Sequence, residues 1–216
     1  MMKTVSRTGV KEFGIIPLDP LPLRNISATV LDGITINVSE GAMKGMKNCV
    51  INEFNIDWEK ERGYMNVTCD VLSLKGQIVV SGENPEIQST IGSNTLNGQG
   101  IAEIKLDNTN LYIEVSIYLT KKDGEIYLTM SNKNRIYLYD IGKAHFITEK
   151  VMFPNDDLSQ IVSSYLNDNW RTTMKQFGSV FMNKALELFI ALIAKFCDAI
   201  PTSKYITEDL NPFLKH

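Results

Sequence analysis

Residues 185–196 read Ala185-Leu-Glu-Leu-Phe-Ile-Ala-Leu-Ile-Ala-Lys-Phe196, and Glu187 and Lys195 are the charged residues among them. A helix formed by this stretch would be apolar on nearly every side, and such a helix has to be buried. The stretch is too short to cross a bilayer. We therefore expect the preceding part of the chain to form a sheet that curls around the helix.

A long helix that contains this stretch is predicted. Asp156 or Asp157 can cap its start, and the next proline along the chain is Pro201. The helix could bend at Asn167-Asp-Asn169 and at Gly178, so a short helix followed by a longer one is also compatible with the sequence. Its first half is amphipathic, with apolar side chains at Trp170, Met174, Phe177 and Phe181.

Alternating apolar and polar residues, which are typical of strands, precede the helix from about residue 23. Between Leu111 and Leu119 every second residue is aliphatic, and Lys122-Asp-Gly124 is a strong turn signal before the next alternating segment. Successive strands joined by short turns are antiparallel. The predicted fold class is α+β: a strongly curved antiparallel sheet wrapped around one long C-terminal α-helix.

The chain has 216 residues, of which 44% are hydrophobic and 22% charged, and this is enough to bury the core of one globular domain. We predict a single domain over residues 1–216. It comprises an extended, proline-rich lead-in at 1–22, the curved sheet at 23–153, the long helix at 156–200 and a tail at 201–216.

Charge and motifs argue against several functional classes. The net charge is −3 and no cluster of lysine and arginine stands out, so nucleic acid is not an expected partner. Of the two histidines, His216 is the last residue and His145 has no motif around it. The sequence has no nucleophile elbow, phosphate-binding loop or HExxH pattern. We predict a protein that is not an enzyme and that uses no cofactor.

The three cysteines lack the spacing of a metal site, so no bound metal is expected. Cys49 and Cys69 fall on two consecutive predicted strands and could be cross-strand neighbours. Both a Cys49–Cys69 disulfide and a pair of small buried thiols remain compatible with this placement. Cys197 lies among apolar helix residues and is interpreted as a thiol of the core.

Short motifs follow one another along residues 14–201. They are Gly14-Ile-Ile-Pro-Leu-Asp-Pro-Leu21, Leu74-Lys-Gly76, Asn97-Gly-Gln-Gly100, Gly124-Glu-Ile-Tyr-Leu128, Phe153-Pro-Asn-Asp-Asp-Leu158, Asn167-Asp-Asn-Trp170 and Ile200-Pro201. In this order and at these separations they resemble the insect takeout and juvenile-hormone-binding family, within the tubular lipid-binding superfamily. No single motif is specific, but the ordered set is.

This resemblance implies a secreted, extracellular carrier in haemolymph or chemosensory fluid. Its ligand would be a long hydrophobic molecule in an internal tunnel: a terpenoid hormone, a carotenoid, a quinone or a fatty acid. We expect a monomer without stable membrane insertion, which could contact a receptor or a membrane during ligand transfer. Family members usually begin with a helix and a cysteine pair. These and a signal peptide are missing from the sequence, and an incomplete N-terminus would account for that.

The predicted lining of the tunnel consists of apolar side chains from the helix and from the strands. On the helix they are Trp170, Met174, Phe177, Phe181, Leu188 and Leu192, and on the strands Ile104, Leu106, Ile113, Val115, Ile117, Leu128, Met130 and Leu138. Simple core packing explains each of them equally well. Most tyrosines of the strands fall on the opposite parity and are predicted to form an outer aromatic surface: Tyr112, Tyr118, Tyr127, Tyr137 and Tyr139.

Three asparagines match the acceptor pattern for N-linked glycosylation: Asn25, Asn37 and Asn66. Each falls on the polar parity of its predicted strand, where a glycan would have to lie. Glycosylation at one or more of them would agree with secretion.

A second hypothesis assigns the protein to a different class. Side chains could fill the interior completely, and the protein could then act through contacts of its surface with a partner or a membrane. Extraction of the purified protein for a bound apolar molecule distinguishes the two hypotheses.

Overall fold

The computed structural model describes residues 9, 17, 19–30, 33–83, 85, 95–131, 133–153 and 156–214, so most of the predicted lead-in at 1–22 lies outside the described residues. The strands are β1 (Leu21–Val30), β2 (Ile34–Lys44), β3 (Val50–Asp57), β4 (Arg62–Glu83), β5 (Thr95–Lys122), β6 (Glu125–Met130), β7 (Ile136–Phe153) and β8 (Asp156–Asp157). The helices are α1 (Ser159–Asp168), α2 (Trp170–Thr173), a π-helical segment (Met174–Gly178) and α3 (Ser179–Ala199). Short 3-10 turns occupy Met46–Asn48, Thr202–Lys204 and Asn211–Phe213.

The strands form one antiparallel sheet with the order β1-β2-β4-β5-β7-β8, while β3 pairs with β4 and β6 pairs with β5. The two longest strands, β4 and β5, pair from Arg62 with Ser116 to Glu83 with Thr95 and form the centre of the sheet. The predicted fold class, a large antiparallel sheet with a long helical region at the C-terminus, is confirmed.

Among the strands that the structure describes, the sheet does not close on itself, and α3 lies in the gap. This helix packs against β1, the first strand in the order of the sheet, and against β6, which pairs with the end of β5. One side of α3 is exposed, along Glu187, Ala191 and Lys195, which follow one another at every fourth residue. The expectation that this helix is surrounded on all sides is therefore wrong in this respect: α3 completes the wall that the strands leave open.

The predicted helix at 156–200 is divided. Asp156–Asp157 pairs with the end of β7 instead of starting the helix, and the Asp157 carboxylate accepts a hydrogen bond from the Ser159 N–H at 2.9 Å. Breaks occur at Asn169 and at the π-helical segment that ends at Gly178, both of which the sequence had indicated as places to bend. The helical segments Trp170–Gln176 and Ser179–Ala199 meet at an angle of 58°.

Among the described residues no single helix is both long and apolar enough to cross a membrane, although this bent pair passes as a broken span by length and composition.

The alternation of inward and outward side chains is interrupted along one line that crosses three neighbouring strands. On β4 the consecutive residues Asp70 and Val71 are both exposed, and on β7 so are Gly142 and Lys143. On β5, between them, Asn108 is exposed and has a φ of 51°. The inward parity of all three strands therefore changes by one residue across this line.

Inward side chains fill one half of the interior and leave the other half open. In the half that includes the β3–β4 turn, large buried side chains project from the sheet, namely Met65, Val67, Leu111, Ile113, Val115 and Ile117. In the other half, inward positions of β4 and β5 are occupied by Gly76, Gly98, Gly100 and Ala102. At Gly98 and Gly100 the missing side chains make room for Phe153 and Val151 of β7, and the half of the sheet that contains these small residues also encloses the open space.

The chain after α3 covers the filled end of the sheet. The Trp58 indole N–H, in the β3–β4 turn, donates a hydrogen bond to Glu208 Oε2 at 3.2 Å, and its ring stacks on Phe213 with centroids 6.0 Å apart. The Thr202 hydroxyl donates to the Ile126 carbonyl at 2.9 Å. The tail thus ties β6 and the β3–β4 turn together.

Candidate functional site: an apolar cavity beside the broken helix

The open half of the interior contains an apolar cavity of about 290 Å³. Strands β1, β2, β4, β5 and β7 form its wall on one side, and α1, α2, the π-helical segment and the start of α3 form it on the other. Its side chains from the sheet are mainly aliphatic, among them Leu23, Ile26, Ile36, Ile78, Val80 and Ile104. A cavity with this lining favours an apolar molecule.

Glycines bring the strands close together where the cavity forms. Gly41 of β2, Gly76 of β4 and Ala102 of β5 are neighbours across the sheet, next to the irregular register of β2 between Val38 and Gly41. A Cβ atom at Gly76 would lie 2.9 Å from the carbonyl oxygen of Glu40, so a side chain there would push β2 away. This close approach accounts for the glycine of the motif Leu74-Lys-Gly76.

The motif Asn97-Gly-Gln-Gly100 has a similar basis. Any side chain at Gly98 would collide with the ring of Phe153, which lines the cavity. The missing side chain leaves room for this ring beside β5. The glycine at position 98 therefore accommodates an aromatic side chain of the cavity wall.

Exposed residues mark where the cavity opens to solvent. Tyr165 is 52% exposed, and Thr172 and Gln176 are also exposed although all three line the cavity. They lie on α1, α2 and the π-helical segment, so the mouth runs along the broken part of the helix. Inside the cavity the Thr148 hydroxyl donates a hydrogen bond to the Ser159 carbonyl at 2.7 Å, so this polar group of the lining is already paired within the protein.

The amide of Asn167 attaches α1 to β7 next to the cavity. Its Oδ1 accepts a hydrogen bond from the Phe146 N–H at 2.9 Å, and its Nδ2 donates to the Phe146 carbonyl at 2.7 Å and to the Ser163 carbonyl at 2.8 Å. The amide thereby continues the hydrogen bonding of the sheet from a helix. This role accounts for the first residue of the motif Asn167-Asp-Asn-Trp170.

We expect Asn167→Asp to lower the free energy of unfolding by about 2–3 kcal/mol at pH 7, because a carboxylate oxygen would replace Nδ2 beside the two carbonyl oxygens. Urea unfolding measures this loss. It should become smaller as the pH falls and the new carboxyl group is protonated, since a protonated acid can again donate a hydrogen bond.

Asn169→Asp is the matched control, because Asn169 is exposed and its Nδ2 makes one hydrogen bond, to Tyr165 O at 2.9 Å. We expect this substitution to change stability by less than about 1 kcal/mol. Equal effects of the two substitutions would contradict the anchoring role of Asn167.

Of the predicted lining residues, Ile104, Met174 and Phe181 line the cavity. Five others line a smaller void of about 40 Å³ in the filled half: Ile113, Val115, Ile117, Leu128 and Met130. Trp170, Leu106, Leu188 and Leu192 pack in the core without lining either space, and the side chain of Phe177 lies outside the described residues. The sequence analysis did not predict that β1 and β2 contribute to the lining. The small inward residues of β4 and β5 are the sequence signal that could have indicated the position of the cavity.

Leu138 is a correction, because it is 59% exposed on the outer face of the sheet. It pairs with Tyr112, whereas Tyr137 pairs with the inward Ile113. Tyr137 and Tyr139 therefore pack against the core, contrary to the expectation of an outer position for both. Hydropathy misled the interpretation, since a tyrosine ring is an apolar body that can be buried as well as leucine.

The structure joins Cys49 and Cys69 in a disulfide and leaves Cys197 as a buried free thiol. The disulfide lines a void of about 60 Å³ in the filled half, away from the cavity. Among the described residues no three histidine, cysteine or acidic side chains are grouped so that they could hold a metal ion. The three acceptor asparagines Asn25, Asn37 and Asn66 lie on the outer face, and their glycosylation stays a prediction.

Burial raises the pKa of the Cys197 thiol to about 11. A buried thiol with this pKa is almost entirely protonated at pH 8, and the thiolate is the reactive form. We expect no reaction with a disulfide reagent such as DTNB in the native protein at pH 8, and one equivalent per chain in urea. Rapid labelling of the native protein would show that the thiol is accessible.

Comparison with known proteins extends the resemblance suggested by the motifs. The sequence model of the family described as haemolymph juvenile hormone binding protein (JHBP) matches residues 2–207. The crystal structure of Epiphyas postvittana Takeout 1 matches with a TM-score of 0.79 at 22% sequence identity, over 94% of this chain and 91% of that chain. At this identity the likeness establishes the fold. No curated protein sequence matches this chain. Since the family model spans nearly the whole sequence, the chain belongs to the haemolymph juvenile hormone binding protein family.

Proposed function

We propose that this protein is a secreted carrier that binds a long hydrophobic small molecule in the cavity between the sheet and the broken helix. The observation that supports the proposal is the cavity of about 290 Å³, which has a mainly apolar lining and includes exposed polar residues along the broken helix. This volume lies close to the lower end of the range of small-molecule sites, about 300–1,000 Å³.

Burial of apolar surface would supply the affinity. Each 100 Å² of apolar ligand surface removed from water contributes about 2.5 kcal/mol, so an isoprenoid or acyl chain can bind at micromolar concentration or below after its ordering cost. The polar mouth favours an amphiphile that has one oxygenated end, such as a terpenoid, a quinone or a fatty acid. A carotenoid belongs to the same class of long apolar guest.

Extraction of the protein purified from its natural source tests the proposal. We expect mass spectrometry of the organic extract to show a stoichiometric apolar molecule, and an absorption spectrum to show visible bands if that molecule is a carotenoid. If the extract is empty, titration with a fluorescent fatty acid should still show saturable binding of one equivalent. An empty extract together with no saturable binding would support the second hypothesis, in which the protein acts through its surface.

A further inference from the structure

The outer face of the sheet carries an open groove of about 440 Å³, opposite the filled half of the interior. Its lining differs from that of the cavity, because amide, hydroxyl and carboxylate groups alternate with apolar ones. Lining residues include Asn52, Asn66, Thr68, Asn110, Tyr112 and Leu138. Such a mixture is suited to a molecule that has many hydroxyl groups and also apolar C–H faces, as a sugar has.

Asn66 lies in this groove beside aromatic side chains. Tyr112 is its direct partner on β5, and Tyr64 lies two residues earlier on the same face of β4. On the other side the Asn66 Nδ2 donates a hydrogen bond to Glu53 Oε2 at 2.9 Å, which uses one of its two amide hydrogens. The second hydrogen of this amide is available for substitution.

We propose that Asn66 carries an N-linked glycan whose first N-acetylhexosamine lies in this groove against the ring of Tyr112. Asn66-Val67-Thr68 is an acceptor sequence. The donor would be a lipid-linked sugar diphosphate. The bond from sugar C1 to the diphosphate breaks, a new bond forms from C1 to Asn66 Nδ2, the diphosphate leaves with the electron pair, and one amide proton passes to a base of the transferase.

The C–H face of the sugar can pack on the Tyr112 ring, whose face carries partial negative charge. Amide and hydroxyl groups nearby are already ordered, because Asn52 Nδ2 donates to Thr68 Oγ1 at 2.6 Å and Thr68 Oγ1 donates to Asn110 Oδ1 at 3.0 Å. Hydroxyl and acetamido groups of the sugar would thus meet a fixed polar surface. The glycan would cover Leu138, the exposed leucine next to Tyr112.

The two other acceptor asparagines lack these surroundings. Asn37 pairs with Ser27 on one side and Val79 on the other, so it has no aromatic partner across the sheet. Asn25 has a φ of 53° at an irregular position between two paired residues of β1, and Leu23, two residues earlier, is buried in the core. Asn66 is the acceptor for which the folded sheet provides a sugar-binding surface.

Peptide mapping tests the modification. The full chain is secreted from insect cells behind a supplied signal sequence, so the test does not depend on the native leader or on ligand binding. We expect the peptide that contains Asn66 to carry a hexosamine-linked glycan, and the modification to disappear in Asn66→Gln. Recovery of this peptide only in unmodified form would overturn the proposal.

A double-mutant cycle tests the contact with the ring. Melting temperatures are measured for the wild type, Asn66→Gln, Tyr112→Ser and the double variant. We expect a coupling of about 2–4 °C between the two sites in protein from secreting cells, and a clearly smaller one, that of a direct cross-strand pair, in the same four proteins made without glycosylation. Tyr112→Phe keeps the aromatic ring and should retain the coupling with Asn66. Tyr118 lies on the same face of the sheet, is 43% exposed and pairs with Thr129, far from Asn66, so Tyr118→Ser should show no coupling. Equal coupling with and without the glycan would overturn the proposed contact.

Discussion

Ala102→Trp is expected to weaken binding of a fluorescent fatty acid about a hundredfold while the protein remains folded. Ala102 is an inward residue of β5 between Gly76 and Thr148, and it lines the cavity. An indole at this position would occupy space that the ligand needs. Exclusion of three or four methylene-sized groups, at about 0.8 kcal/mol each, corresponds to this loss of affinity. Titration by fluorescence measures it.

Val79→Trp is the matched control for this experiment. Val79 lies on β4, close to Ala102 in the sheet, but its side chain points outward and is 44% exposed. Its replacement adds the same indole to the same sheet without entering the cavity, so we expect unchanged affinity. Thermal unfolding should show that both variants are folded. If Ala102→Trp binds the probe as tightly as the wild type, the ligand lies elsewhere.

Sequence patterns predicted the fold because they reflect burial directly. Period-two alternation located the strands, and the apolar run at 185–196 located α3. They could not show that α3 stays exposed along Glu187 and Lys195, because an apolar helix with two charges on one side is compatible both with full enclosure and with a position in the gap of an open sheet.

The candidate site was predicted less completely. The predicted lining consisted of large apolar residues. A cavity forms instead where inward residues are small, as at Gly76 and Ala102. The change of inward parity at Asn108 coincides with changes on both neighbouring strands, so its full extent depends on the pairing of three strands. Leu138 was placed inside and Tyr137 outside because hydropathy ranks leucine above tyrosine. Gly178 indicated a break in the helix, and the mouth of the cavity lies along this broken part. The sequence did not indicate that the segment before the break is π-helical.

Removal of the disulfide is expected to cause the second large effect. Cys49 precedes β3, and β3 pairs only with β4 among the described strands. The bond closes a loop with a sequence separation of 20, and the loss of such a cross-link lowers the free energy of unfolding by about 3 kcal/mol. In a chain of this size the double variant Cys49→Ala, Cys69→Ala should melt about 6–12 °C lower than the wild type.

A reducing agent separates this effect from repacking around two new alanines, because it should destabilise the wild type and leave the double variant unchanged. Cys49 and Cys69 line the small void of the filled half and do not line the cavity. We therefore expect the folded double variant, well below its melting temperature, to bind the fluorescent fatty acid as tightly as the wild type. If the double variant binds the fatty acid more weakly than the wild type, the two halves of the interior are coupled. The disulfide between Cys49 and Cys69 would then also determine the shape of the cavity.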